Sequence, residues 1–111
     1  MNARSQRETI FLESAEILSH QGFDGDQYVL RVRAPDCASA ARPGQFAHLS
    51  CDPMLAMRRP ISIMRVDAGQ GWVDFLYKAV GQGTSLLSQR RPGENISVLG
   101  PIGHPFAADP C

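Results

Sequence analysis

Apolar and polar residues alternate along most of this chain, and glycine or proline breaks the alternation at short intervals. That pattern belongs to short β-strands joined by turns, not to helices, whose apolar positions recur every three to four residues. Tyr28-Val29-Leu30-Arg31-Val32-Arg33 shows it most clearly: Tyr28, Leu30 and Val32 share one face, Arg31 and Arg33 the other. Five further segments read as strands. Ile10–Leu18 alternates loosely, and Gly22-Phe23-Asp24-Gly25-Asp26 reads as the turn after it. Gln45–Cys51 follows the Pro43-Gly44 break, with Phe46 and Leu49 as its bulky apolar members. A loop from Asp52 to Met57 leads into Arg59–Val66, and Gly69-Gln70-Gly71 leads into Trp72–Val80, rich in aromatic and β-branched residues. Asn95–Leu99 is the last strand and stops at Gly100-Pro101-Ile102-Gly103. One helix is expected, Thr84–Gln89, ended by Arg91-Pro92-Gly93. Six short strands and one short helix predict an all-β domain: a six-stranded antiparallel Greek-key barrel, with a two-sheet sandwich as second choice.

At 111 residues the chain is one domain, long enough for a single barrel core. Eleven basic and eleven acidic residues cancel, so no bulk field recruits nucleic acid or an anionic membrane, and any anion site must be local. The charged N-terminus, Met1 to Arg7, precedes no apolar run of the kind a secretory signal needs. No segment approaches the ~20 apolar residues of a membrane span. Cys37, Cys51 and Cys111 are odd in number and far apart, which points to reduced thiols in a cytoplasmic protein rather than a disulfide frame or metal site. Cys111 follows Asp109-Pro110 as if the sequence were cut from a longer one.

Two segments carry candidate chemistry. In Arg58-Arg59-Pro60-Ile61-Ser62-Ile63, Pro60 forces Arg59 out of the helical region, so its side chain is directed from an extended backbone. Alternation sets Arg59 and Ile61 on one side, Pro60 and Ser62 on the other. A guanidinium forks onto phosphate oxygens, Ile61 can cover an apolar ring, and Ser62 can donate to a ring nitrogen or carbonyl. The second segment, Gly81-Gln82-Gly83-Thr84, is a glycine turn entering the helix, where backbone N–H groups can approach a diphosphate. Thr84 can cap that helix or bond the phosphate itself. Together they offer what a flavin dinucleotide needs. Tyr77 and Lys78 lie between them and can reach the ribityl chain or ring. Each has a plainer alternative: an edge strand with solvated arginines, a simple turn and cap, a core tyrosine beside a solvated lysine. His20, His48 and His104 have no ligand spacing, so no metal site is assigned. Neither a catalytic triad nor a carboxylate pair stands out. Gly-x-Gly-x-x-Gly and its βαβ setting are missing, so nothing here binds a nicotinamide nucleotide unaided.

The order Pro43-Gly44-Gln45-Phe46, Arg58–Ile63, Leu76-Tyr77-Lys78, Gly81–Thr84 and Leu99-Gly100-Pro101-Ile102-Gly103 resembles the flavin domain of the ferredoxin–NADP reductase superfamily, from about Ile10 to Phe106. Within it the sequence is most similar to the electron-transfer subunit of bacterial heteromeric dihydroorotate dehydrogenase, chiefly through Arg-Arg-Pro-Ile-Ser-Ile. The superfamily often has Arg-x-Tyr-Ser/Thr with the tyrosine on the isoalloxazine; Ile61 holds that place here, as in the dihydroorotate branch. The resemblance implies that Arg59 binds the FAD diphosphate and that Ser62 reaches the N5 edge, with Pro60 and Ile61 beside them. Gly83 and Thr84 would complete the cradle, and Leu76, Tyr77 and Lys78 would line the flavin. It assigns no catalytic residue.

The same resemblance sets the expected organisation: residues 1–8 frayed, 9–103 the FAD-binding barrel, 104–111 the start of a linker to a nucleotide-binding domain. NAD and a [2Fe–2S] cluster are expected only in the part beyond, since three scattered cysteines cannot replace four thiolates. This polypeptide alone is then expected to oxidise little or no NADH. The expected partner is a catalytic dihydroorotate dehydrogenase subunit or another redox protein, with self-association through uncovered strands also open. Two other readings stand: the reductase module of a different flavin-dependent chain, or a non-catalytic barrel used for assembly.

Overall fold

The computed structural model describes residues 10–55 and 57–104. Its strands are β1 (Phe11–Phe23), β2 (Gln27–Arg33), β3 (Phe46–Leu49), β4 (Arg59–Asp67), β5 (Trp72–Lys78) and β6 (Asn95–Ile102), and its helices are α1 (Pro35–Ala40) and α2 (Gln82–Leu87). The strands close in the order β1-β2-β5-β4-β3-β6, each neighbouring pair antiparallel. β3, β4 and β5 follow one another, and β6 returns to lie beside β3, which is the Greek-key path. The barrel expectation therefore holds and the sandwich does not.

Period-2 alternation builds the core. Leu30 and Val32 of β2, Ile61 and Ile63 of β4, and Val73 and Phe75 of β5 all turn inward and are buried. On β2 the division of faces read from the sequence is the one observed, with Arg31 and Arg33 outside. One carboxylate is also buried, on the outer wall: Asp74 receives Nε and Nη2 of Arg31 at 2.8 and 3.0 Å and Nε of Arg65 at 3.3 Å. The Arg31 guanidinium lies 3.6 Å over the Trp72 ring, and the hydrogen bond to Asp74 raises its pKa further.

Several elements differ from expectation: Gln45–Cys51 shortens to Phe46–Leu49 and Trp72–Val80 to Trp72–Lys78, and the larger differences are these. β1 continues through Gly22 and Phe23, paired with Tyr28 and Gln27, because the turn's positive φ angles fall on Gly25 and Asp26. α1 makes a second helix where one was expected. It opens with Pro35, and its cap comes from another element: the Glu13 carboxylate of β1 accepts the N–H groups of Cys37 at 2.7 Å and Asp36 at 3.3 Å. α2 starts at Gln82 rather than Thr84 and ends at Leu87. β6 runs past Leu99 to Ile102 against β3. A Cβ at Gly100 would stand 2.8 Å from Ala47 Cβ and 3.1 Å from Ala47 Cα, so glycine lets the two backbones approach. The expected frayed segment 1–8 and most of the expected linker 104–111 lie outside the described residues.

Cys37 and Cys51 are buried free thiols. Burial, aided by the Glu13 carboxylate, pushes Cys37 up to about 12. An unfolded thiol ionises at about 8.5, so above that pH the unfolded chain sheds a proton that the folded one keeps. Stability contributed by Cys37 is thus full below that pH and falls as pH rises toward the folded value, by roughly 1.4 kcal/mol per unit. Urea midpoints at about pH 8 and about pH 10 should drop further for the wild type than for Cys37→Ala. Equal drops would mean the thiol is not held protonated.

Candidate functional site at the mouth of β4 and the Gly81–Thr84 turn

The antiparallel pairing of β4 with β5 is what assembles the site. Ser62 pairs with Leu76, so the start of β4 lies beside the end of β5, from which the chain passes directly into α2. Arg59 and Gly83, distant in sequence, consequently meet. A Cβ built on Gly83 would sit 2.9 Å from Arg59 Cγ and 3.2 Å from its Cδ. The arginine stem therefore crosses the glycine, in space that any other residue would fill. Arg59 itself is exposed, and no side-chain hydrogen bond or ion pair holds it among the described residues.

Its neighbour Arg58 behaves oppositely. Its Nη2 donates to Ser97 Oγ at 2.8 Å and its Nη1 to the carbonyl of Ser97 at 3.4 Å, tying the entry of β4 to β6. Of the two adjacent arginines one is structural, and the other has no side-chain partner among the described residues.

Thr84 uses its hydroxyl locally. Oγ1 accepts from the N–H groups of Val80 and Gly81, both at 3.1 Å, and donates to the Gly81 carbonyl at 3.3 Å. This fixes the bend in the manner of half a capping box. Glycine at the N-cap brings no side-chain acceptor, so the first N–H groups of α2 stay unclaimed by a cap.

The outer wall next to this turn carries the other residues singled out from the sequence. Pro60, Ser62, Leu76 and Lys78 are exposed on β4 and β5. Ser62 sits in the ladder between Phe46 of β3 and Leu76 of β5, two apolar flanks for a hydroxyl. Phe46 stacks on His48 with ring centroids 5.7 Å apart. The structure thus brings Arg59, Gly83, Ser62, Leu76 and Lys78 to one mouth and one wall.

Ile61 and Tyr77 turn the other way, and the expectation that their side chains meet a cofactor is corrected accordingly. Both are core residues, 3% and 7% exposed. Tyr77 stacks on Tyr28 at 5.4 Å, and its hydroxyl donates to His20 Nε2 at 2.7 Å, while His20 Nδ1 donates to the Arg90 carbonyl at 2.9 Å. Burial raises the Tyr77 pKa, so the phenol stays neutral. Only the backbone of these two residues is left for a ligand.

Sequence reasoning missed Leu55. Its Cδ2 lies 3.5 Å from the same Gly83 position that Arg59 crosses. No periodicity marks it, because it sits in a turn where Leu55 N–H donates to the Asp52 carbonyl at 3.0 Å.

A pocket of about 290 Å³ bounded by Asp52, Pro53, Leu86, Gln89, Arg90 and Glu94 is separate from these groups. Its Arg90 is already bound to Glu94, the Asn95 carbonyl and the Cys51 carbonyl, so it offers no free cation. Among the described residues, no set of three His, Cys, Asp or Glu side chains is placed to hold a metal, and no helix is long and apolar enough to cross a membrane.

The closed six-stranded Greek-key barrel defines a class: its fold is that of the flavin-binding barrels of ferredoxin reductase type. Solved structures agree. The structure of an NADH-dependent reduced ferredoxin–NADP oxidoreductase, studied for flavin-based electron bifurcation, superposes with a TM-score of 0.75 at 28% identity, over 82% of this chain and 33% of that one. The ferredoxin reductase of carbazole 1,9a-dioxygenase gives 0.73 at 23% identity, over 85% and 29%, a likeness of fold alone.

Within that class the chain is a homologue of dihydroorotate dehydrogenase B (NAD(+)) electron transfer subunits. The subunit of Desulforamulus reducens is 41% identical over 96 residues, covering 83% of this chain and 36% of that protein. That of Geobacillus thermodenitrificans is 37% identical over 101 residues, covering 87% and 38%. The chain spans little more than a third of the length of these relatives. No family model matches it.

Proposed function

We propose that this barrel binds FAD and serves as the flavin module of an electron-transfer subunit acting in dihydroorotate oxidation for pyrimidine biosynthesis. One observation carries the reading: the exposed Arg59 stem lies across Gly83, 2.9 Å from where a Cβ would be. A guanidinium beside uncapped backbone N–H groups suits a pyrophosphate, which needs several donors from more than one direction.

Arg59 would grip the diphosphate, with Gly83 opening the approach and Thr84 holding the bend. Ser62 would donate to the ring edge from the outer wall, and Pro60, Leu76 and Lys78 would flank it. Ile61 and Tyr77 would contribute main chain. When bound, FAD supplies one- and two-electron redox chemistry. The chain's own part is to fix the ring's position and its surroundings. Residues 9–103 form this module, and 104–111 lead toward a nucleotide-binding domain. That domain would hold NAD and a separate cysteine-rich segment a [2Fe–2S] cluster, and the electrons would pass to a catalytic dihydroorotate dehydrogenase subunit or another redox partner. The names of the sequence relatives support this placement.

Titrating FAD into the purified protein tests the reading by quenching of flavin fluorescence and by visible absorbance. A yellow, saturable complex that oxidises little NADH is expected. Colourless protein that leaves the fluorescence of added FAD unquenched would overturn it in favour of an assembly module.

A further inference from the structure

We propose that Gly83 and Leu55 are positioning residues for Arg59, forming a slot that holds the arginine stem and aims its guanidinium. The binding consequences rest on the FAD reading above; the slot itself does not.

The slot matters because no polar partner among the described residues orients Arg59. Arg31, Arg58, Arg65 and Arg90 each have hydrogen-bonded or ionic side-chain partners, whereas Arg59, like Arg33, Arg42 and Arg91, has none among the described residues; of these four it is Arg59 whose stem crosses a glycine. A long free side chain loses much rotamer freedom when it grips an anion, unless packing has already restricted it. Packing is what the structure supplies. Arg59 Cγ and Cδ lie 2.9 and 3.2 Å from the Gly83 Cβ position, and Leu55 Cδ2 lies 3.5 Å from it.

Glycine is otherwise a poor choice there. Gly83 is within α2, where backbone entropy disfavours it, and its φ is not positive. The space it leaves is the remaining reason for it. Leu55 is set at the slot by its own turn: its N–H bonds the Asp52 carbonyl, and Met54 N–H bonds Asp52 Oδ1 at 2.8 Å. Neither residue has to touch the cofactor for this task.

A methyl at position 83 meets Cγ and Cδ, the inner stem of Arg59, so Gly83→Ala must swing the whole side chain out of the slot at some cost in stability. Two measurements decide the matter. The first is ¹⁵N relaxation of the Arg59 Nε–H bond in protein without FAD. Its order should fall in Gly83→Ala and in Leu55→Ala, and unchanged order in both would overturn the proposal. The second is FAD titration of wild type, Gly83→Ala, Arg59→Ala and the double variant. Gly83→Ala should weaken binding about tenfold in the wild type but less than about twofold when Arg59 is already alanine. Equal losses in both backgrounds would overturn the proposal, because Gly83 would then act independently of the arginine. If the wild type binds no FAD, the functional reading fails and relaxation alone judges the slot. Leu55→Ala removes atoms instead of adding them, which keeps the test open should Gly83→Ala unfold.

Discussion

Arg59→Ala is expected to leave the barrel folded and to weaken FAD binding about a hundredfold. Folding should survive because the side chain is exposed and has no hydrogen-bonded partner to orphan among the described residues. The binding loss follows from its geometry. A forked guanidinium makes two charge-assisted bonds to phosphate oxygens, each worth roughly 1.5–3 kcal/mol before screening. Exposure and salt reduce that sum, leaving about 2.7 kcal/mol, which is a hundredfold in Kd. Arg59→Lys should recover part of the affinity, since the charge returns but the fork does not. Fluorescence titration at two salt concentrations checks all three statements. Affinity for FAD within about threefold of the wild type in Arg59→Ala would place the phosphate grip elsewhere.

The second large effect concerns the scaffold. Phe75 is the largest fully buried side chain, and it pairs in the ladder with Leu30 on one side and Ile63 on the other. Phe75→Ala removes a ring from the centre of a closed barrel whose six strands cannot collapse inward independently. The lost transfer energy and the residual cavity together should cost about 3–5 kcal/mol. Against the 5–15 kcal/mol typical of a domain, this leaves the variant marginal at roughly 37 °C. Urea melts should show a lower midpoint at an unchanged slope. A loss below about 1 kcal/mol would mean that neighbouring side chains refill the space.

The barrel was legible because its strands obey the simplest of patterns. Val73, Phe75 and Tyr77 alternate inward on β5 as Leu30 and Val32 do on β2, and turn residues separate the runs. α1 was not legible, because its cap is Glu13 on another strand and its own segment, Pro35–Ala40, has no side-chain cap. Gly22 and Phe23 read as a turn locally, yet pairing with β2 keeps them in the ladder.

The site was half visible. Arg59 and Gly83 were found by residue type, but their contact depends on β4 lying beside β5, a tertiary fact. Alternation separates Ile61 from Pro60 and Ser62, but it does not say which of the two faces meets the core; that depends on how the barrel closes. Thr84 offered two uses for one hydroxyl, and the bend takes it through Val80 and Gly81.

Where β4 and β5 meet beside the turn, from Pro60 to Ile63 and from Phe75 to Lys78, their faces alternate: Ile61, Ile63, Phe75 and Tyr77 fill the interior, while Pro60, Ser62, Leu76 and Lys78 stand outside. Evolution can therefore revise the exterior set, and with it the polarity around a redox group, without renegotiating how the polypeptide collapses.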